Sequence, residues 1–492
     1  MPALHLSTIL TREPSRLLAH VGDVAKRYGG QGFTVLFTLS SNFKEPTDLQ
    51  AAVNRLNKFN DIDSTQRGTN EGKATGHTVG CLSDTLSSVK FEKFPQLTSL
   101  KDDLLSCSIG IFNSDTCIPF RSTLPSRIQP QVGRWHSFRK KSGVSSSSLG
   151  EGDWEPDWQN VEAGKGIAKG NDEVDWEAIW NRSSNNTGSK AAELLPETLQ
   201  GIERSRIQAL FSLSSSHPDA LTSALANHFP ESPSLTVIAA PTHFITGRGV
   251  TLFMDGQIFD DGAVGVALLR DANASGEQAH KNPTPSTSFF GMTPLSEPMV
   301  VTRREGNVIN ELNSSNPTQL LLRSLDNSQG LSARPTFKDA EQFALGTVGA
   351  DGQIVRTYRI TAGDPSSRGG SISLDAPTAP AEGSVVQFLH ISGNSSINIP
   401  ASLFVSGFEK ISKKVLACVS VPEALSSASL HTPTEASEPS THILEDVFLV
   451  PSMQGFVLSD SSTSARPGTP STTFNSPWTS SLPGSAVLLP VH

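Results

Sequence analysis

Cysteine, tyrosine and methionine are scarce in this chain. Its 492 residues include 4 Cys, 2 Tyr and 5 Met. The cysteines (Cys81, Cys107, Cys117 and Cys418) form no Cys-x-x-Cys pair and have no histidine at the spacing of a zinc site. The sequence therefore predicts no metal site and no cofactor, and the cysteine usage suits a reducing compartment.

Long apolar runs and strongly basic stretches are also absent. No apolar run reaches the ~20 residues that span a bilayer, so no membrane span is predicted. The net charge is −9 and no basic stripe is visible, which argues against a nucleic acid as the main partner. Only 36% of the residues are hydrophobic, while Ser, Gly and Pro are abundant. We therefore expect globular blocks separated by long irregular stretches.

The first 30 residues leave the cellular compartment open. Arg12, Arg16 and Arg27 lie among apolar residues, as in a mitochondrial transit peptide. Glu13 and Asp23 argue against such a peptide, and so does the helical pattern that begins near residue 15. We expect an intracellular protein, cytoplasmic in the first place and mitochondrial as the alternative.

One stretch of the chain occurs twice. Residues 36–41 read LFTLSS and residues 210–215 read LFSLSS. Each copy continues with a proline, an amphipathic helical run and a second apolar run, which is the order of a βαβ unit with a crossover helix. The predicted fold class is α/β, with duplicated βαβ-plus-hairpin units that form mixed sheets with helices on one face. An α+β C-terminal domain is predicted to follow.

The same patterns divide the chain into five parts. These are a first half (13–125), an acidic and disordered insertion (126–190), a second half (191–275), an α+β domain (300–425) and a mostly disordered Ser/Thr/Pro-rich tail (426–492). We expect the first half to end in a hairpin of 108–112 with 117–120, and the second half to contain a hairpin at Asp255-Gly256. Within the tail, 442–458 is typical of two short strands that could dock on the α+β domain.

The insertion holds four of the six tryptophans, in two D-W-E-x-x-W copies. They are Trp154, Trp158, Trp176 and Trp180. One interpretation is that these side chains cover the surface of their own domain. The other is a docking segment for a protein partner, because tryptophan is frequent among the residues that dominate binding energy at interfaces.

The second half and the α+β domain resemble a known family. Residues 249–256 read GVTLFMDG, residues 261–268 read DGAVGVAL and residues 382–388 read EGSVVQF. These runs resemble the N-terminal and C-terminal domains of the FIST family (F-box and intracellular signal transduction). The resemblance implies a sensory or ligand-binding module, for small molecules such as amino acids. In eukaryotes such a module can be joined to an F-box that recruits a ubiquitin ligase, although no F-box-like helical segment is visible before residue 30.

Four polar residues at predicted strand ends form the candidate ligand-binding site. Cys81 and Ser83 end the second strand of the first half, and Thr242 and His243 follow its duplicate. Ligands of α/β proteins usually bind at the carboxyl ends of strands, so we expect these side chains to line one pocket. The alternative is a buried cysteine and a surface histidine.

No motif predicts a catalytic residue. Ser216-x-x-Asp219, before an apolar run, is typical of a helix N-cap rather than of a catalytic triad. We therefore predict a non-enzymatic sensory module that binds a small molecule or a protein partner in intracellular signalling. Two alternatives remain: a hydrolase or transferase that depends on Cys81 and His243, and a substrate adaptor linked to ubiquitin-dependent degradation.

Overall fold

The computed structural model describes residues 3–59, 76–92, 104–123, 195–270, 283–327, 343–363, 370–391, 397–399, 414–422, 441–460 and 477–491. The chain divides into two units, Met1–Ile128 with Ala191–His492, and Gln129–Lys190. All described residues belong to the first unit, and the second lies outside them.

Strands and helices alternate in the N-terminal part. Its elements are β1 (Ala3–Thr11), α1 (Pro14–Tyr28), β2 (Thr34–Ser40), α2 (Pro46–Asn57), β3 (Thr78–Ser83), β4 (Val89–Phe91), β5 (Leu105–Phe112) and β6 (Cys117–Ser122). A proline begins both helices, where the missing N–H group would have no partner in any case. Every residue of β2 is buried, because both faces of the sheet are packed against other elements at this strand. β1 and α1 also show that residues 3–28, considered above as a targeting peptide, belong to the first sheet and its helical layer.

The second part repeats the strand–helix–strand order, as predicted. It contains β7 (Ile207–Ser214), α3 (Asp219–His228), β8 (Ser234–Ile238), α4 (His243–Thr246), β9 (Leu252–Met254), β10 (Gln257–Phe259) and β11 (Ala263–Leu269). β9 and β10 pair as a hairpin whose turn residues, Asp255 and Gly256, both have positive φ. Asp-Gly supplies this conformation at low cost, which confirms the predicted turn.

A closed, strand-rich barrel follows. Its elements, with a preceding strand β12 (Ser286–Phe289), are β13 (Met292–Pro294), β14 (Met299–Glu305), β15 (Val308–Leu312), α5 (Pro317–Asn327), β16 (Phe343–Val348), β17 (Ile354–Gly363), β18 (Ile372–Leu374) and β19 (Val385–Ile391). The strands run β13-β19-β14-β15-β18-β17-β16, and β16 also pairs with β19, which closes the sheet. The predicted C-terminal domain therefore has one helix among its described residues and is otherwise built of strands.

The C-terminal part adds seven strands. They are β20 (Ile397–Ile399), β21 (Lys414–Ser420), β22 (His442–Glu445), β23 (Val447–Ser452), β24 (Phe456–Ser459), β25 (Trp478–Ser480) and β26 (Ser485–Val491). The prediction of a mostly disordered tail does not hold for 442–459 and 478–491. The island at 442–458 does form strands, and β23 pairs with β21, which lies within the predicted α+β domain. β22 and β24 pair instead with β1 and β8. Strands that pair over such a long distance in the sequence leave no local pattern from which the pairing could be predicted.

Three sheets share one strand order. The first sheet contains β3-β2-β5-β1, the second contains β8-β7-β11-β6, and the third contains β23-β21-β26-β12. In each, the first two strands are parallel and the next two pairings are antiparallel. The predicted duplication is therefore confirmed at the level of strand order, and the C-terminal strands with β12 provide a third copy.

Hairpins are exchanged between the copies. The β9–β10 hairpin lies between β8 and β11 in sequence but pairs with β3 of the first sheet. The β24–β25 hairpin lies between β23 and β26 but pairs with β8 of the second sheet. The predicted hairpin of β5 with β6 is wrong for the same kind of reason, since β5 pairs with β2 in the first sheet and β6 with β11 in the second.

The inner faces of the three sheets share one hydrophobic core. It includes Leu36 and Val79 of the first sheet, Phe211 and Val237 of the second, and Phe448 of the third. A separate cluster fills the space between the first sheet and the helices α1 and α2. The carboxyl ends of the parallel strands consequently meet inside one folded unit.

Candidate functional site

Five of the six parallel strands in the three copies end in serine. The residues are Ser40 of β2, Ser83 of β3, Ser214 of β7, Ser420 of β21 and Ser452 of β23. All five are buried. A buried hydroxyl is costly unless it has a hydrogen-bond partner, so the partner of each one is informative.

Three of these hydroxyls hold the strand ends together. Ser40 Oγ accepts from the N–H of Ser106 at 3.0 Å, and Ser214 Oγ donates to the carbonyl of Gly262 at 3.3 Å. Ser452 Oγ donates to the carbonyl of Ile238 at 2.6 Å and so connects β23 to β8. These side chains have structural partners, and their burial is explained.

The other two hydroxyls lack partners. Neither Ser83 Oγ nor Ser420 Oγ has a hydrogen-bond partner among the described residues, although both side chains are buried. The β-strand register places Ser420 opposite Ser452. The residue after Ser452 is Met453, and its N–H donates to Asp84 Oδ2 at 2.6 Å. Asp84 directly follows Ser83, so β3 and β21 are joined at this point through β23.

Asp84 is the charged group of this region. Its side chain is half-buried, and burial raises its pKa to about 6, although the hydrogen bond from Met453 opposes the shift. Asp84 Oδ1 has no hydrogen-bond partner in the described part of the chain. The group is therefore a carboxyl that titrates near neutrality and keeps one oxygen available.

Two thiols complete the group. Burial raises the pKa of Cys81 and of Cys418, and the negative charge of Asp84 raises both further. We call the residues Cys81, Ser83, Asp84, Cys418 and Ser420 the strand-end junction. A backbone hydrogen bond from Ala240 N to Leu82 O (3.2 Å) brings the end of β8 of the second sheet to its border, and one from Leu82 N to Thr251 O (3.0 Å) continues the pairing of β3 with β9.

The four predicted site residues are placed in different environments. Cys81 and Ser83 are buried in the strand-end junction, and Thr242 is buried at the base of α4. Thr242 Oγ1 is within 2.8 Å of Thr251 Oγ1 and donates to the carbonyl of Arg248. His243 is exposed, and within the described residues neither it nor Cys81 makes a side-chain hydrogen bond. The structure therefore does not pair this thiol with this imidazole.

A shallow depression of about 10 Å³, roughly the room of one water molecule, lies at the end of β7. Ser122, Ser214, His217 and Gly262 are among the residues that line it, next to the start of α3. The helix begins at Asp219, as predicted, but no side chain caps it, so the predicted serine N-cap is wrong. His217 has a φ of 67°, which turns the chain before the helix. The depression is smaller than the ~300 Å³ at which small-molecule pockets begin.

The predicted docking tryptophans lie outside the described residues, so Trp154, Trp158, Trp176 and Trp180 remain predictions. Among the described residues, no group of three or more His, Cys, Asp or Glu side chains is arranged to hold a metal ion. No helix in the described part of the chain is both long and apolar enough to cross a membrane.

Comparison with known proteins gives one match. The family model of the FIST N domain matches residues 239–315. No curated protein and no solved structure matches the chain. The matched segment runs from the end of β8 through α4, the β9–β10 hairpin and β11 to β15 of the barrel, and it borders the strand-end junction at Ala240 and Thr251. The chain thus contains a segment similar to the FIST N domain, and the resemblance of 382–388 to the C-terminal domain stays a prediction.

Three residues of the junction, Asp84, Cys418 and Ser420, could not be found as site residues from the sequence. Asp84 was visible only as a neighbour of Ser83, and Ser420 lay near the boundary of a predicted domain. A signal for Ser420 existed: residues 416–420 read LACVS and echo the two repeats that end in Ser40 and Ser214. A third copy of the repeat was present but degenerate.

Proposed function

We propose that this chain is a non-enzymatic sensory module of the FIST type that binds a small ligand at the strand-end junction and acts in intracellular signalling. The single observation behind the proposal is the set of unmet polar groups at the junction. Ser83 Oγ and Ser420 Oγ are buried without a hydrogen-bond partner among the described residues, and only one oxygen of Asp84 is hydrogen-bonded there, where the carboxyl ends of parallel strands meet. Strand ends of this kind are the usual ligand sites of α/β proteins.

The chemistry of the junction favours a ligand with an amino group. A protonated amine would donate to Asp84 Oδ1 and to a serine hydroxyl, and its charge would favour the ionised carboxylate. That gain would offset the cost of burying Asp84, which its raised pKa records. The similarity to the FIST N domain supports the same ligand class, because the family resemblance implies small molecules such as amino acids.

Binding without turnover is supported by the state of Cys81. A cysteine acts as a nucleophile through its thiolate, and burial here raises the thiol pKa and disfavours that form. A general base within hydrogen-bond reach is also required, and His243 makes no such contact. The Cys81/His243 alternative therefore has no geometric support, while partner binding through the four tryptophans remains part of the proposal.

The proposal is tested by calorimetric titration of the full chain with L-amino acids. Each amino acid is paired with the hydroxy acid that lacks its amino group, such as L-alanine with L-lactate. We expect binding of one or more amino acids at pH 7.5, none of the matching hydroxy acid, and at least about tenfold weaker binding in Asp84→Asn.

Asp23→Asn is the matched control, because Asp23 is exposed and lies on α1. It should bind like the unmodified chain. Equal affinity of Asp84→Asn and the unmodified chain for the same amino acid would remove the junction as the site. Equal affinity for the amino acid and its hydroxy acid would remove the amine as the recognised group.

A further inference from the structure

The three-residue strand β10 forms an edge of the first sheet, and the guanidinium of Arg121 lies 3.6 Å over the ring of its Phe259. The strand pairs with β9 on one side, and no described strand pairs with its other side. Natural edge strands are commonly protected by lysine, proline or covering groups, because free N–H and C=O groups recruit other strands. Gln257, Ile258 and Phe259 include neither lysine nor proline, and the Ile258 side chain is 43% exposed.

Other edges of the same unit are protected. Proline occupies position 119 of the edge strand β6. The edge of β23 is covered by hydroxyls, since Thr8 Oγ1 donates to the carbonyl of Val447 at 2.8 Å and Ser108 Oγ donates to that of Leu449 at 2.6 Å. The free edge of β10 differs from these two edges, because neither a proline nor a hydroxyl group occupies it among the described residues.

Two apolar side chains stand out on the α4 loop. Phe244 is fully exposed, at 104% of its reference area, and Ile245 is 46% exposed. Three threonine hydroxyls brace the loop beneath them: Thr242 and Thr246 each lie 2.8 Å from Thr251, and they lie 3.1 Å from each other. The apolar side chains are therefore presented by a rigid turn, which lowers the entropic cost of binding.

The α4 loop and the end of β10 adjoin. A methyl group placed on Gly249 would lie 3.6 Å from His243 Cε1 and 3.7 Å from the carbonyl oxygen of Asp260. His243 directly precedes Phe244, and Asp260 directly follows β10. The α4 loop and the C-terminal end of β10 therefore lie close together.

The charges around β10 select the occupant. Asp255 precedes the strand, and Asp260 and Asp261 follow it, all three exposed. Asp255 also contacts His77 Nδ1 at 3.0 Å and accepts from the N–H of Thr78, and Asp261 lies 3.9 Å from Arg121. Antiparallel pairing of β10 with a second copy about Ile258 would place Asp255 opposite Asp261 at both ends, and like charges directly opposite are destabilising. A segment with basic residues at its ends would instead be attracted.

We propose that β10 binds an extended segment of a partner protein by strand addition, with an apolar centre over Ile258 and the Phe244–Ile245 turn and with basic residues at both ends. Backbone hydrogen bonds to the β10 edge would supply affinity. The acidic residues around β10 would supply the preference for basic ends. This inference is independent of the strand-end junction and of its ligand.

The test uses three fluorescein-labelled peptides and the full chain, with binding measured by fluorescence anisotropy. The first peptide is Lys-Lys-Ile-Thr-Val-Thr-Ile-Lys-Lys, the second has Glu in place of every Lys, and the third has Pro in place of Val and the second Thr. We expect the first to bind, the second to bind at least about tenfold more weakly, and the third not to bind, because proline lacks the N–H that strand pairing requires.

Two variants locate the site. Ile258→Glu and Phe244→Ser should each weaken binding of the lysine peptide about tenfold or more. Val355→Glu is the matched control, because Val355 is also a strand residue and is 41% exposed on the barrel. It should bind like the unmodified chain, and melting curves should show that all three variants fold.

Several outcomes would overturn the proposal. They are equal binding of the lysine and glutamate peptides, equal effects of Ile258→Glu and Val355→Glu, or no binding of any peptide. A dimer of the unmodified chain in light scattering that Ile258→Glu dissociates would identify a second copy as the occupant and would also overturn it.

Discussion

Single buried polar residues distinguish the strand-end junction from the other strand ends of this protein. A carboxyl that burial makes harder to ionise costs stability at neutral pH, and two buried hydroxyls with no partner in the described part of the chain add to that cost. Proteins commonly retain such groups where function needs them. The contrast with Ser40, Ser214 and Ser452, which stand at equivalent strand ends and are all hydrogen-bonded, is what distinguishes Ser83 and Ser420.

The titration of Asp84 predicts that replacing its carboxyl group raises the free energy of unfolding, by an amount that depends on pH. Its folded pKa of about 6 lies above the ordinary value for an aspartate, so the group stabilises the fold below about pH 4 and that stability is lost as the pH rises through 6. Asp84→Asn keeps an oxygen for the Met453 N–H and carries no charge. We expect its free energy of unfolding in urea to exceed that of the unmodified chain by about 2 to 3 kcal/mol at pH 8.

At pH 4 the same two proteins should have similar stability, because Asp84 is then protonated in the folded state. A constant difference across this pH range would mean that packing, and not ionisation, separates the variant from the unmodified chain.

A histidine pair at the N-terminus predicts the opposite pH dependence. Ser7 Oγ lies 2.9 Å from His5 Nε2 and 3.0 Å from His20 Nε2. Burial, and next the positive charges of His20, Arg27 and Lys414, lower the pKa of His5 to about 4 against the opposing effect of Asp446, and burial lowers the pKa of His20.

A lowered histidine pKa means that this pair stabilises the fold above pH 6.5 and loses that contribution as the pH falls towards 4. The double variant His5→Gln with His20→Gln should therefore lose less stability than the unmodified chain between pH 7 and pH 4.5, measured by urea unfolding. His243→Gln, at an exposed position, is the control and should leave the profile unchanged. An identical slope in the double variant and the unmodified chain would contradict the assignment.

At the scale of elements, strand ends and turns set the architecture. Gly262 leads into β11 with a φ of 78°, and a Cβ there would overlap the carbonyl of Ser122 at the end of β6. Gly484 precedes β26 with a φ of 90°, and a Cβ there would overlap the carbonyl of Phe290, just after β12. The second and third copies thus have the same glycine contact between equivalent strands. In the third copy this contact forms although the barrel lies between β12 and β26 in the sequence.

This contact predicts a difference between two glycine substitutions. Gly256 has a φ of 77° with open space around it, so Gly256→Ala should cost about 1 kcal/mol from the left-handed backbone alone. Gly262→Ala adds the overlap with Ser122 and should cost about 2 to 4 kcal/mol, measured by urea unfolding. Equal costs would show that the backbone near Ser122 relaxes freely.

At the scale of the whole molecule, the three copies depend on one another. β22 is the outer neighbour of β1, β24 is the outer neighbour of β8, and β21 has β23 and β26 as its neighbours. All of these partners lie after residue 441, far from the strands they complete. The C-terminal residues are therefore part of the core rather than an appendage.

A chain that ends at residue 425 should consequently fail to fold cooperatively. It would expose the edges of β1 and β8 and leave β21 without a described partner. Urea unfolding followed by circular dichroism should show a broad transition or none. Deletion of 129–190, which contains no described strand, is the control and should retain a sharp transition. A sharp transition in the shortened chain would show that the first two sheets fold alone.

The sequence predicted what local pattern encodes. The helical runs after Pro46 and Pro218, the buried strands β2 and β7, and the Asp255-Gly256 turn all follow from periodicity and turn chemistry over fewer than about fifteen residues. The order of the first two copies was readable because LFTLSS and LFSLSS are nearly identical. Ser83 was predicted as a site residue because strand ends follow from the same pattern.

Tertiary structure alone decided which strands are neighbours and which polar groups are left without partners. β5 and β6 adjoin in sequence, yet they enter different sheets, since pairing depends on the free edges that distant segments supply. Asp84 and Ser420 are more than 300 residues apart, and only the packing of β3, β21 and β23 joins them. Burial and hydrogen-bond satisfaction belong to the folded molecule as a whole, so the strand-end junction could not be predicted from local sequence.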